Sequence, residues 1–218
     1  STADIFTVMK VYFISGMGAD SRVFKHIHLP GGFTIKHLEW IPIRKNESLE
    51  AYSLRLAAAI KPGEKFALLG LSMGGMMAAE ITKQFCAAGN CPVVTILISS
   101  VPAHSHLPSY FRLSKYLPLH KLIPVRFLKS ASILNRLFTS DNEADRKVLY
   151  QVINESDPMF IKWAMGAVLH WKNDSIPARL VQIHGTKDKV LPLRFTKPTH
   201  IIKNGNHMMI MNRAKELN

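Results

Sequence analysis

Gly70-Leu71-Ser72-Met73-Gly74 has the pattern G-x-S-x-G. A continuous apolar stretch, Phe66–Leu71, precedes it, and a stretch with apolar residues at helical spacing, Met73–Ala87, follows it. That context suits a sharp strand-to-helix turn, which strains the serine backbone and lifts its hydroxyl above the sheet. Gly70 and Gly74 allow close approach of the chain, and Gly75 lets the helix pack on the sheet. The plainer alternative is a glycine-rich turn with an ordinary helix-capping serine.

A serine hydroxyl is a poor nucleophile near neutral pH and needs a base, which in turn needs an orienting acid. Two late loops supply these residue types. Ile183-His184-Gly185-Thr186-Lys187-Asp188 places Asp188 just after a strand-like stretch. Lys203-Asn204-Gly205-Asn206-His207 places His207 just after the last one, with Asn204-Gly205 as a turn pair. The chain order is therefore Ser72, Asp188, His207. For Asp188 the alternative is a solvated loop carboxylate beside two lysines. His184 ends a strand and reads as structural, and His104 and His106 stand apart in an intervening segment. Acyl transfer further needs donors for an oxyanion. Ser15-Gly16-Met17-Gly18 follows the first strand directly, so the backbone N–H groups of Met17 and of Met73 are the expected pair. The same glycines do not make a nucleotide loop, because G-x-G-x-x-G fails at Ser21 and the Gly-Lys-Ser/Thr of a phosphate loop is missing.

The elements that must position these residues alternate strand and helix. Strands are expected at Val8–Ser15, Thr34–Glu39, Phe66–Leu71, Val93–Ser99, Leu180–His184 and Thr199–Ile202. Ser48 caps a helix with Leu49, Tyr52, Leu56, Ala59 and Ile60 on one face, and Lys61-Pro62-Gly63 ends it. A last helix is expected near Asn212–Leu217. Mostly apolar strands separated by helices imply an α/β fold with a mostly parallel sheet of about six strands covered on both faces. Ser99 to Leu180 is too long for a plain connection and must hold structure of its own. Pro102, Pro108, Pro118 and Pro124 cut its first half into short pieces, Asp141–Asn154 and Pro158–Trp171 read as longer helices, and Pro177 marks the return. The expected organisation is a core of residues 1–101 and 179–218 with a helical cap insertion at 102–178.

Composition bounds the remaining possibilities. With 218 residues, 47% of them hydrophobic, the chain is no disordered segment. No apolar run reaches the length of a membrane-spanning helix. Asp4 precedes the first apolar run without a basic leader, so no secretory signal is expected. Cys86 and Cys91 are too few for a disulfide framework, which favours reduced thiols and a cytoplasmic setting. No metal-ligand spacing is present. The net charge of +13 is spread along the chain and accompanies no nucleic-acid-binding motif, so it bears on solubility and weak association. One stretch stands out. Between Glu80 and Asp141 there is no acidic residue, while Arg112, Lys115, Lys121, Arg126, Lys129 and Arg136 interleave with Tyr110, Phe111, Leu117, Ile123, Phe127 and Leu128. It reads as a solvated basic face, or as one that docks an acidic carrier protein or an anionic membrane. Methionines 17, 73, 76, 77, 208, 209 and 211 lie on or beside the motifs. They line an adaptable apolar pocket or fill the core, and for Met76 and Met77 the core is expected.

SGMGADSRVF (15–24), GLSMGG (70–75), HGTKDKVLP (184–192) and GNH (205–207) together resemble the α/β-hydrolase superfamily, in its order and over the chain from about residue 9 onward apart from the cap. The nearest flavour is the small capped carboxylesterases, including those similar to pimeloyl-carrier-protein methyl esterase. The resemblance implies an α/β-hydrolase fold, Ser72 as nucleophile, His207 as base, Asp188 as orienting acid, Met17 and Met73 as oxyanion donors, an ester or thioester substrate with an apolar acyl group, and no cofactor. A lyase or carbon–carbon hydrolase using the same three residues, or a small-ligand binding protein on the same fold, remains open at this level. The sequence departs from the superfamily in lacking two strands ahead of the first one, in its short Asp188–His207 connection and in its cap.

Overall fold

The computed structural model describes residues 8–116, 121–138 and 142–218, except for the side chain of Leu137. Asp4, Leu117, Pro118 and Asp141, singled out above, lie outside the described residues.

Six strands form one sheet. In chain order they are β1 (Met9–Ile14), β2 (Phe33–His37), β3 (Phe66–Leu71), β4 (Thr95–Ile98), β5 (Leu180–Gly185) and β6 (His200–Ile202). They lie in the order β2-β1-β3-β4-β5-β6, and every neighbouring pair is parallel. The chain leaves β1 to build β2 on one side and then crosses to β3 on the other. β1 and β3 thus flank the switch point, outside whose carboxyl ends such sheets bind ligands.

Strand residues alternate between the two faces. Tyr12, Ile14, Phe66 and Leu68 join one core with Leu49, Tyr52, Met77, Ile81 and the buried Trp171. Val11, Phe13, Ala67 and Leu69 join the other with Phe24, Leu149, Met209 and Ile210. The helices α1 (Leu49–Leu56) and α2 (Met73–Ala87) supply the first cover. The one-turn helix Ser21–Phe24 and α8 (Met209–Asn212) supply the second, and α6 (Glu143–Glu155) packs on the one-turn helix. Ser48 caps α1 by accepting the Ala51 N–H.

Between β4 and β5 run α3 (Ser109–Ser114), α4 (Val125–Leu128), α5 (Ala131–Leu137), α6 and α7 (Pro158–Leu169). Asn142 caps α6 through the Ala144 and Asp145 amides, and Asp157 caps α7, whose first residue is Pro158. Several expected boundaries shift. β2 ends two residues early as an exposed edge strand. The strand at 93–99 narrows to Thr95–Ile98, and the left-handed φ of 49° at Ser99 ends it. The last helix starts earlier and breaks at Arg213 into α8 and α9 (Ala214–Leu217).

The cysteines require a correction. Cys86 and Cys91 form a disulfide. Gly89, at φ 80°, reverses the chain after α2, with the Gly89 and Asn90 amides donating to the Cys86 and Phe85 carbonyls. That turn brings the two Cα atoms to 4.1 Å. Reduced thiols, and the cytoplasmic setting inferred from them, lose their basis.

Candidate active site

Ser72 occupies the turn between β3 and α2. Its φ of 54° and ψ of −121° lie where a residue with a side chain is strained, at a cost of order 1–3 kcal/mol. The surroundings over-determine that conformation. The Ser72 N–H donates to the Ile98 carbonyl at 3.0 Å. Its own carbonyl accepts from the Gly75 amide at 2.9 Å, the Met76 amide at 3.3 Å and the Ser100 hydroxyl at 2.6 Å. Gly70 is obligatory here, since a Cβ on it would stand 2.3 Å from the Gly74 carbonyl oxygen.

His207 and Asp188 reach this turn from the far end of the chain. A Cβ at Gly185 would stand 2.1 Å from the Gly205 carbonyl oxygen, so the loops after β5 and β6 press directly together. The Lys187 N–H donates to the Gly205 carbonyl and the Asn204 N–H to the Thr186 hydroxyl, tying one loop to the other. Within this clasp His207 Nδ1 lies 2.8 Å from Asp188 Oδ2, and His207 Nε2 lies 2.9 Å from Ser72 Oγ. A carboxylate only accepts, so Nδ1 carries the proton and Nε2 is the bare nitrogen facing the serine hydroxyl. The other carboxylate oxygen, Oδ1, accepts the Val190 and Leu191 amides. Asp188 is buried, which alone would raise its pKa; the His207 ring and these hydrogen bonds outweigh burial and hold it below the ordinary carboxylate value. The Phe138 ring lies 5.8 Å from the His207 ring and covers the site from α5's end.

The loop after β1 closes the arrangement. A Cβ on Gly16 would come within 3.3 Å of Ser72 Cβ, which places this loop against the serine. The Ala19 N–H donates to Gly16 and the Ser15 hydroxyl to Ala19, giving a tight turn. Among the described residues neither the Met17 nor the Met73 amide has a protein acceptor. The Met73 amide is one of the free donors at the start of α2. A cavity of about 450 Å³ opens beside Gly18 and Ala19, floored by Trp40, Ile41, Ile43 and Phe160, with Asp20, Arg22 and Glu155 among its lining. Neither Ser72 nor His207 lines it.

The other histidines stand outside the Ser72–His207–Asp188 chain, although His184 Nε2 comes to 3.5 Å from Asp188 Oδ2. His184 is buried beneath the site, its Nε2 donating to the Leu191 carbonyl at 2.6 Å, and burial pushes its pKa down. His104 and His106 lie in the one-turn helix before α3. Of the methionines on or beside the motifs, Met73, Met76, Met77, Met208, Met209 and Met211 are buried in the two cores, and Met17 keeps some exposure. Two residues that bear on the site carry no sequence signal. Ser100 pins the Ser72 carbonyl, and buried Gln182 donates from Nε2 to the Ser100 carbonyl and to the Thr196 hydroxyl.

A model of the alpha/beta hydrolase family matches residues 11–218. The chain belongs to that family. Its all-parallel sheet, flanking helices and strand-to-helix serine turn are those of an α/β-hydrolase enzyme. Solved structures agree on the fold. An esterase from Thermogutta terrifontis, in a malate-bound form, is 16% identical over 97% of this chain and 87% of its own, with a TM-score of 0.70. MenH from S. aureus is 15% identical over 99% and 92%, with a TM-score of 0.71. The RedJ thioesterase of the prodiginine biosynthetic pathway in Streptomyces coelicolor is 14% identical over 97% and 84%, with a TM-score of 0.67. A comparison with curated protein sequences gives no significant match.

Proposed function

We propose that this α/β-hydrolase cleaves a carboxylic ester or thioester with an apolar acyl group through an acyl-enzyme on Ser72. The observation that carries the reading is the unbroken chain from Ser72 Oγ to His207 Nε2 at 2.9 Å and from His207 Nδ1 to Asp188 Oδ2 at 2.8 Å. Ser72 Oγ attacks the carbonyl carbon while its proton passes to His207 Nε2. The carbonyl oxygen gains negative charge and accepts the Met17 and Met73 amides. Collapse expels the alcohol or thiol, which takes the proton from His207. Water then enters, gives a proton to the same nitrogen and attacks the acyl carbon; the acid departs and Ser72 regains its hydrogen. Asp188 keeps its charge throughout and steadies the imidazolium. No step needs a metal or cofactor. In this reading residues 102–178 form a cap over the core of 1–101 and 179–218.

Esterase and thioesterase names among the structural neighbours support the substrate class as analogy of fold. A fluorophosphonate probe tests the nucleophile. It is expected to label Ser72 in the parent protein, and Ser72→Ala to abolish labelling and hydrolysis of p-nitrophenyl esters. Undiminished turnover in the alanine protein would overturn the assignment.

A further inference from the structure

The segment between β4 and α6 carries exposed apolar side chains together with unpaired positive charge. Leu122 is 77% exposed, Tyr116 72%, Leu113 64% and Phe127 57%, with Tyr110 and Ile123 also open to solvent. Arg112, Lys121, Arg126 and Arg136 are exposed among them and have no carboxylate partner among the described residues. The sequence has no acidic residue from 81 to 140. Lys129 behaves differently: its ammonium donates to the Asn154 and Ser156 carbonyls at the end of α6, so it is occupied in holding the fold.

We propose that α3 and the Lys121–Phe127 stretch form a surface that docks onto an anionic lipid bilayer from the aqueous side. Interfacial segments place Leu, Phe and Tyr at the acyl boundary and Lys or Arg among the phosphates. This surface has both classes interleaved, and its own stretch of chain contributes no negative charge to repel the headgroups. Its apolar side chains stand well out from two separate short elements. A deformable lipid surface takes up such projections without a matching pocket for each. No described helix is long and apolar enough to cross a membrane, so the contact is peripheral.

Flotation of the full chain with vesicles tests this without any turnover, so its outcome is independent of the esterase reading. Vesicles of phosphatidylcholine alone are compared with vesicles containing phosphatidylglycerol. Preferential binding to the anionic vesicles is expected. It weakens with salt, as the screening length falls from about 8 Å at physiological ionic strength to about 3 Å at 1 M. Each basic residue at an anionic surface contributes about 1 kcal/mol, so Lys121→Ser with Arg126→Ser should lower the partition coefficient roughly thirtyfold. Leu122→Ser with Phe127→Ser should lower it at least tenfold while leaving the melting temperature unchanged. Equal partition into both vesicle types, or indifference to both double variants, overturns the proposal. Tight binding to poly-glutamate without vesicle binding overturns it too, and assigns the face to an acidic protein partner.

Discussion

Replacing Asp188 by Asn separates what this carboxylate does for the chemistry from what it does for the fold. The two side chains have the same shape, and Oδ1 of Asn can still accept the Val190 and Leu191 amides that Asp188 holds now. The change falls on the atom 2.8 Å from His207 Nδ1. There an amide NH₂ replaces a carboxylate oxygen, and an NH₂ group only donates. Nδ1 must then accept, which moves the ring proton to Nε2, the nitrogen 2.9 Å from Ser72 Oγ. A protonated Nε2 cannot take the serine proton. In the serine protease template a wrong tautomer costs about 10⁴ in kcat, so a loss of order 10³–10⁴ is expected here, or roughly 4–5 kcal/mol of barrier.

The fold should suffer far less, by an amount that depends on pH. The Asp188 pKa is depressed in the folded protein, because the His207 ring and the hydrogen bonds prevail over burial. Its contribution to stability is therefore present above the ordinary carboxylate pKa of about 3.9 and is lost as pH falls through the lower folded value. Parent and Asp188→Asn should differ in melting temperature near neutrality and converge in strong acid. Asp188→Ala provides the contrast. It leaves the Val190 and Leu191 amides without their acceptor, each at about 1–3 kcal/mol, so it should melt below the Asn protein while losing a comparable share of kcat. The assay is kcat on a p-nitrophenyl ester beside melting temperature, at several pH values. An Asp188→Asn enzyme that is folded and retains near-parent kcat would refute the tautomer reasoning.

Gly70→Ala should abolish soluble, folded protein, because its Cβ would meet the Gly74 carbonyl oxygen at 2.3 Å and the Gly75 Cα at 2.5 Å, and both are backbone; circular dichroism and melting check this. Trp171→Phe should cost about 1–3 kcal/mol in denaturant unfolding, since it removes the indole N–H that donates to buried Glu80 Oε1 at 2.8 Å, while kcat stays at the parent value.

Sequence and structure agree best where one physical signal dominates. β3 and α2 carry their expected bounds, Phe66–Leu71 and Met73–Ala87, because an unbroken apolar run and a helical stripe meet at a glycine-flanked serine. β2 is poorly bounded in sequence because it is an edge strand with an exposed face, where apolar alternation is weak. The early start of the last helical stretch, at α8, is unmarked in the sequence for the opposite reason. Met208, Met209, Ile210 and Met211 are all buried, so no polar face marks a helical period. The disulfide is not legible in a cysteine count because its closure depends on the left-handed turn at Gly89.

The candidate site divides in the same way. The positions of Ser72, Asp188 and His207 are readable because each follows a strand of a parallel sheet, and the carboxyl ends of those strands share one edge. Their distances are not readable, because they depend on contacts between loops remote in sequence. Asp188 and His207 meet only because Gly185 and Gly205 let two backbones touch where any side chain would wedge them apart. Ser72 faces them only because three donors hold its carbonyl, one of them the Ser100 hydroxyl from the end of the next strand. A serine after a strand is common and predicts nothing by itself. Its geometry follows from the register of β3 against β4, where Leu71 pairs with Ile98 and so sets Ser100 beside the turn. The residue types thus announce the chemistry, and strand register together with glycine contacts determines whether the atoms reach one another.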